Sequence, residues 1–223
     1  MTKLIPKEEI FKLLELLFEE GYDVVAPVLR DGVICLEEIS SPEEIARWVQ
    51  EEQKKGSYRV IEGELFFGYV HGYDSVKRFL HPPRMSLMRI TPDLRQEFLL
   101  KKKRYAFIAL RGCDLKAVEI LDDVFLGGLK DPYYASLREE AFIVALNCPK
   151  PSSTCFCTSM GTGPEVRGGY DVLLSEIGRG FLIRAGSERG EEIVSRLEGR
   201  EAGEEELREE RKVIERAESI IRR

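Results

Sequence analysis

The residues of this 223-residue chain best suited to chemistry are its cysteines, and four of the five form a pattern. Cys113 lies in Arg111-Gly112-Cys113-Asp114. Cys148 lies in Asn147-Cys148-Pro149, and Cys155 and Cys157 follow in Thr154-Cys155-Phe156-Cys157-Thr158. Three chemistries use such a set. Disulfides are disfavoured in a reducing compartment. Zinc takes four thiolates tetrahedrally, but its structural sites usually present two C-x(2–4)-C knuckles; here one C-x-C accompanies two isolated cysteines. An iron–sulfur cluster also takes four thiolates, and its larger core tolerates ligands from separate loops. Thr154, Thr158, Ser159, Gly161, Thr162 and Gly163 surround the C-x-C. Small residues let backbone N–H groups approach closely, and donors aimed at sulfide tune a cluster. The same loop suits a phosphate cradle, although it lacks GxGxxG and Walker spacing. Cys35, inside Val33-Ile34-Cys35-Leu36, reads as a small hydrophobe in a strand.

These positions make sense only if particular elements carry them. Tyr105 to Leu110 and Ala141 to Leu146 are unbroken apolar runs, with an apolar-striped helix from Asp114 to Asp123 between them. That is a βαβ unit with parallel strands. Cys113 and Cys148 then emerge together at the carboxyl edge of the sheet, where open α/β sheets bind ligands. Adjacent strand ends lie about 5 Å apart, and a short loop returns Cys155 and Cys157 to the same place. The expected fold is therefore α/β, a mixed sheet with a central βαβ unit, flanking helices and an antiparallel hairpin.

The remaining pattern fills in that frame. Pro6 to Glu20 reads as an amphipathic helix stopped by Gly21. Tyr22 to Leu29 and Val33 to Ile39 read as a hairpin across Asp31-Gly32. Ser41, Pro42 and Glu44 form a capping-box signature for a helix running to about Gln53. Short strands are expected over Tyr58 to Val70, an irregular loop over Lys77 to Met88, and a helix over Pro92 to Leu100. Tyr170 to Ile177 and Gly180 to Ala185 read as a second hairpin, followed by a helix from Glu188 to Leu197. The division expected is residues 1–200 as one iron–sulfur-binding domain and 201–223 as a charged helix. Its narrow stripe of Leu207, Ile214, Ala217 and Ile221 suits packing on its own domain, a linker or a docking role equally.

Composition bounds the function. The chain is 43% hydrophobic, enough for a core, and carries a net charge of −6, so it has no general attraction for nucleic acid or anionic lipid. The basic run Lys101-Lys102-Lys103-Arg104 reads as a solvated helix end. No apolar run reaches the ~18–20 residues that span a bilayer. Met1 to Glu9 offers no signal-peptide core, so a cytoplasmic location without membrane contact is expected. Charged residues make up 33%, Asn147 is the only asparagine, and glutamine occurs only at Gln50, Gln53 and Gln96. That balance points to a thermophilic source. His71 and His81 read as loop residues, Asp114 as a helix-start residue, and Lys77 and Arg78 as a solvated face. No Ser/His/Asp triad or carboxylate pair is evident.

Several strings resemble one family: RGCDLKAVEILDDVF, DPYYASLREEAFIVALNCPKPSSTCFCTSMGTGP and GYDVLLSEIG, with YDVVAPV, DGVICLEEI and VKRFLHPPR upstream. The family comprises the iron–sulfur electron-transfer subunits of cytoplasmic nickel–iron sulfhydrogenases, where they are called beta, and of anaerobic sulfite reductase. The resemblance covers about residues 20 to 190. It implies that Cys113, Cys148, Cys155 and Cys157 hold one separate 4Fe-4S cluster. It also implies an electron-transfer role beside a ferredoxin-module protein and flavin/NAD(P)-binding or catalytic oxidoreductase subunits. The family's ferredoxin-like module, with two C-x2-C-x2-C-x3-C-P runs, has no counterpart here, so this chain is expected to act as the first domain of that design. The alternative is a zinc-binding or metal-free scaffold or assembly module. No catalytic residues follow from either reading.

Overall fold

The computed structural model describes residues 2–54, 56–70, 72, 74–99 and 103–221. Its elements run in the order β1 (Thr2–Ile5), α1 (Glu9–Glu19), β2 (Asp23–Arg30), β3 (Val33–Glu38), a 3-10 turn (Pro42–Glu44), β4 (Val49–Lys54) and β5 (Ser57–Glu62). Then come α2 (Lys77–Leu80), β6 (Met88–Ile90), β7 (Gln96–Phe98), β8 (Tyr105–Leu110), α3 (Gly112–Leu126), α4 (Pro132–Glu139), β9 (Phe142–Asn147) and α5 (Cys157–Met160). The chain closes with β10 (Val172–Ile177), β11 (Gly180–Ala185), α6 (Glu188–Ser195), β12 (Arg200–Glu201) and α7 (Glu204–Ile221).

One eight-stranded sheet, ordered β12-β1-β11-β10-β9-β8-β2-β3, organises the molecule. Its centre, β10-β9-β8-β2, is parallel, and both flanks are antiparallel. The expected mixed α/β sheet, βαβ unit and hairpins are all present. β8, β9 and β10 are buried along their whole length, as strands covered on both faces must be. Alternate residues serve the two faces. Ala106, Ile108, Val144 and Leu146 join Leu13, Leu17 and Ile193 on the side of α1 and α6. Phe107, Ile143 and Ala145 join Leu115, Val118 and Leu137 on the side of α3 and α4.

Four sequence expectations fail, one of them over Lys77 to Met88, where the expected irregular loop opens with the short helix α2. The capping box at Ser41 and Glu44 forms, but the helix expected to Gln53 ends after one 3-10 turn. Ile45 is already extended, and Ile45 and Ala46 drop into the core. Val49–Lys54 then pairs residue for residue with β5, so strand pairing overrides the helix-forming Glu and Gln residues. The segment from Pro92 to Leu100, expected to be helical, instead supplies β7, which pairs with β6. Lys103 and Arg104 end no helix. They lead into β8, where Lys103 pairs with Glu38 at 2.7 Å and Arg104 donates to the Glu20 carbonyl behind α1 at 2.8 Å. Lys101, Lys102 and His71 lie outside the described residues. His81 stacks on Phe125, ring centres 4.5 Å apart.

The long C-terminal helix packs on its own sheet, against β10 and α5. Its buried face is partly acidic: Glu206, Glu210 and Ala217. Glu210 accepts from Ser175 Oγ (2.5 Å) and Arg184 Nη1 (2.6 Å), and Ser175 Oγ also accepts from Asn147 Nδ2 (2.8 Å). No described helix is long and apolar enough to cross a membrane.

Candidate metal centre

The two halves of the cysteine set arrive by different routes. β8 ends at Leu110 through a bulge: the register with β9 shifts between Ile108 and Leu110, and Ala109 takes a left-handed φ of 61°. Bulges of this kind re-aim the chain beside functional sites. Arg111 follows, and α3 begins at Gly112 with Cys113 in its first turn. Asp114 accepts from the Arg111 N–H at 2.8 Å, which fixes the helix start as its position suggests. Next door, β9 ends at Asn147, and the Cys148 N–H donates to the Pro164 carbonyl at 3.1 Å.

Cys155 and Cys157 come from the loop beyond. The Cys155 thiol accepts the Ser152 N–H at 3.2 Å, while the Cys155 N–H returns to the Ser152 carbonyl at 3.2 Å. Cys157 opens α5. Its carbonyl accepts the Thr162 N–H at 2.9 Å, which folds the glycine-rich stretch back toward α3. Gly112 has to be glycine, because a β-carbon there would come within 2.5 Å of the Thr162 carbonyl oxygen.

The result is one cavity of about 600 Å3 whose wall includes Cys113, Cys148, Cys155 and Cys157 together. Arg111 and Thr162 share that wall, and Gln53, Lys54, Ser57 and Tyr58 of the β4–β5 hairpin close the opposite side. The hairpin is tied to the cysteine loop. Ser153 Oγ donates to the Gln53 carbonyl and Thr154 Oγ1 to Gln53 Oε1, each at 2.9 Å, and Lys150 donates to Gln50. Cys35 stays apart, 5% exposed in β3, as a core residue. All five cysteines are free.

The chemistry of the four thiols is distinctive. Burial pushes Cys148, 6% exposed, up to about 12, and desolvation on the cavity wall pushes Cys113 in the same direction although that residue is exposed overall. Asp114 and the neighbouring thiols add to the rise at Cys113, and Arg111 opposes it at both residues. Burial raises Cys155 and Cys157 as well. A nucleophilic cysteine has its pKa lowered toward neutrality, the opposite of the direction here. Four protein sulfurs around one cavity instead suit a positively charged inorganic centre that holds them as thiolates. Among the described residues, no three His, Cys, Asp or Glu side chains converge tightly enough to hold a single metal ion.

No protein-family model matches the chain. Sulfhydrogenase 2 subunit beta of Pyrococcus furiosus is 32% identical to it over 155 residues, which is 68% of this chain and 46% of that protein. Over that stretch the chain is a relative of a sulfhydrogenase beta subunit. The resemblance read from the cysteine strings is thereby borne out. The chain spans about half the length of the curated sulfhydrogenase relative it matches.

Several residues at this site escape a sequence reading. Arg111 is only 3% exposed, although arginine is ordinarily a surface residue. Its place directly after an unbroken apolar strand was the available signal. Gln53 was hidden because its strand was expected to be the end of a helix, and Tyr58, expected in a strand, because the pairing that brings it to the cavity is tertiary. Phe156, between two of the cysteines, is 67% exposed.

Proposed function

We propose that this chain binds one 4Fe-4S cluster on Cys113, Cys148, Cys155 and Cys157 and serves in electron transfer within a cytoplasmic, hydrogenase-like oxidoreductase complex. The observation that carries the reading is the sharing of one cavity by those four thiols, two from parallel strand ends and two from the following loop. A zinc ion at 2.3 Å from each sulfur would draw the four sulfurs to about 3.8 Å of one another. An iron–sulfur core is larger than one ion and takes its thiolates from separate strand ends and loops, which is how these four cysteines are supplied.

When bound, such a cluster supplies reversible one-electron transfer. The chain's own residues do the rest. The strand ends fix Cys113 and Cys148, the Ser152 N–H donates to the Cys155 sulfur, and the hairpin lines the cavity through Gln53, Lys54, Ser57 and Tyr58. Substrate chemistry falls to partners: a ferredoxin-module protein and flavin/NAD(P)-binding or catalytic oxidoreductase subunits. Residues 1–200 form the cluster-binding domain in this reading, with 201–223 as its bracing or docking helix. The Glu, Lys and Arg enrichment and the scarcity of amides support a thermophilic origin.

Anaerobic purification followed by iron and labile-sulfide analysis tests the proposal. Iron and sulfide near four per chain, with a brown colour, support it. Stoichiometric zinc without sulfide overturns it in favour of a scaffold module. Cys155→Ser should lose most of the cluster; full retention would remove Cys155 from the ligand set.

A further inference from the structure

Arg111 is the charged side chain most deeply set into this site. It lines the same cavity as the four cysteines and is 3% exposed. Its guanidinium is held from below. Nη1 donates to the Ala109 carbonyl at the bulge, Nη2 donates to the Tyr69 carbonyl at 2.5 Å, and the group lies 5.6 Å from the Tyr69 ring centre. These contacts leave it little freedom to swing away. It stands two residues before Cys113 and shares one cavity wall with all four thiols, so its charge faces the space they enclose. Two carboxylates stand against it: Asp114, which lines the same cavity and caps the start of α3, and Glu51, buried in β4, which burial pushes toward its neutral form.

We infer that Arg111 is a fixed counter-charge that raises the reduction potential of the centre held by the four cysteines. The inference rests on the cluster reading above. One electron, delivered by a neighbouring one-electron carrier or by dithionite in the test, adds one negative charge to a centre already surrounded by four thiolates. No bond is made or broken at Arg111. A cation fixed beside that charge in a poorly solvated wall stabilises the reduced form more than the oxidised form. A guanidinium stays protonated throughout the working pH range, so the bias is permanent. The role is one of positioning charge, and the residue touches no substrate.

The test compares the parent chain with Arg111→Gln and Arg111→Lys, each reconstituted anaerobically, assayed for iron and titrated with dithionite while the reduced centre is followed by electron paramagnetic resonance. Arg111→Gln should keep its iron and lose at least about tenfold in the reduction equilibrium, ~59 mV lower for a one-electron couple. Arg111→Lys, which keeps the charge, should stay close to the parent. A loaded Arg111→Gln protein with an unmoved midpoint overturns the inference and leaves the cluster reading intact. If both variants fold without taking up iron, or fail to fold, while the parent loads, Arg111 is structural and the inference also falls. A parent chain without iron overturns the cluster reading itself, and this inference with it.

Discussion

The two walls of the cavity are built to different standards. The floor is the carboxyl edge of β8 and β9, strands buried along their whole length and gripped by helices on both faces. The roof is the β4–β5 hairpin, a two-stranded sheet with only Glu51 buried among its twelve paired residues. A two-stranded ribbon is marginal on its own in water. It is held by side-chain contacts: Gln53 to Ser153 and Thr154, Gln50 to Lys150, and Tyr58 Oη accepting the Ile34 N–H at 3.3 Å. Cys113 and Cys148 thus inherit the rigidity of the sheet, whereas Cys155 and Cys157 depend on a loop that is itself tied to the roof. The sheet sets two of the four thiols, and the loop tied to the hairpin sets the other two.

The comparison is broken most severely by damaging the floor. Leu146 is fully buried one residue before Asn147 and two before Cys148. Leu146→Ala leaves a cavity where the sheet meets the α1 and α6 layer. It should cost about 3 kcal/mol, within the roughly 2–5 kcal/mol range for such truncations. Urea unfolding of the metal-free chain measures it. A loss below about 1 kcal/mol would show that the floor is not the rigid element.

That contrast also explains what the sequence revealed. The floor was legible because strands buried on both faces spell unbroken apolar runs, Tyr105 to Leu110 and Phe142 to Leu146, on either side of a helix. From those runs alone, the convergence of Cys113 and Cys148 at one edge follows. The roof was not legible. Val49–Lys54 is rich in Glu and Gln and follows a sound capping box, so local preference points to helix while the pairing that decides it is tertiary. The hydrophobic stripe on the last helix left three roles open, and the helix packs on its own sheet. Of the stripe, Ala217 is fully buried but Leu207, Ile214 and Ile221 only partly so, and the other buried positions are Glu206 and Glu210, which pair with Arg200 and Arg184.

Glu210 sharpens the comparison from the side of the floor. Burial works against its ionisation, yet hydrogen bonds from Arg184 and Ser175 prevail and hold the carboxyl below its usual range. A carboxylate depressed in the folded state stabilises the protein above its unfolded pKa, about 4.3 for glutamate, and that stabilisation disappears as pH falls through the lower folded value. Glu210→Gln should therefore cost about 2 kcal/mol at neutral pH, a typical figure for charge-assisted hydrogen bonds. The cost should shrink below about pH 4. Thermal unfolding of both proteins from neutral pH down to about pH 3 checks this, and parallel curves would refute it. Because Asn147 belongs to the same network, the variant should also loosen the strand end that carries Cys148.

The smallest effect is expected at the roof, and it is the most specific. Gln53 holds the cysteine loop by two bonds, one through its backbone carbonyl and one through its side chain. Gln53→Ala removes only the bond from Thr154. The side chain is partly exposed, so global stability should change by less than about 1 kcal/mol. The local consequence should be larger than the global one. Hydrogen exchange at residues 152–158 should accelerate while exchange in β8 and β9 stays unchanged, because local opening needs only the roof contacts to fail. Equal acceleration in loop and sheet would mean that floor and roof unfold together. In that case Cys155 and Cys157 would be as firmly placed as Cys113 and Cys148, and the division of labour between the walls would disappear.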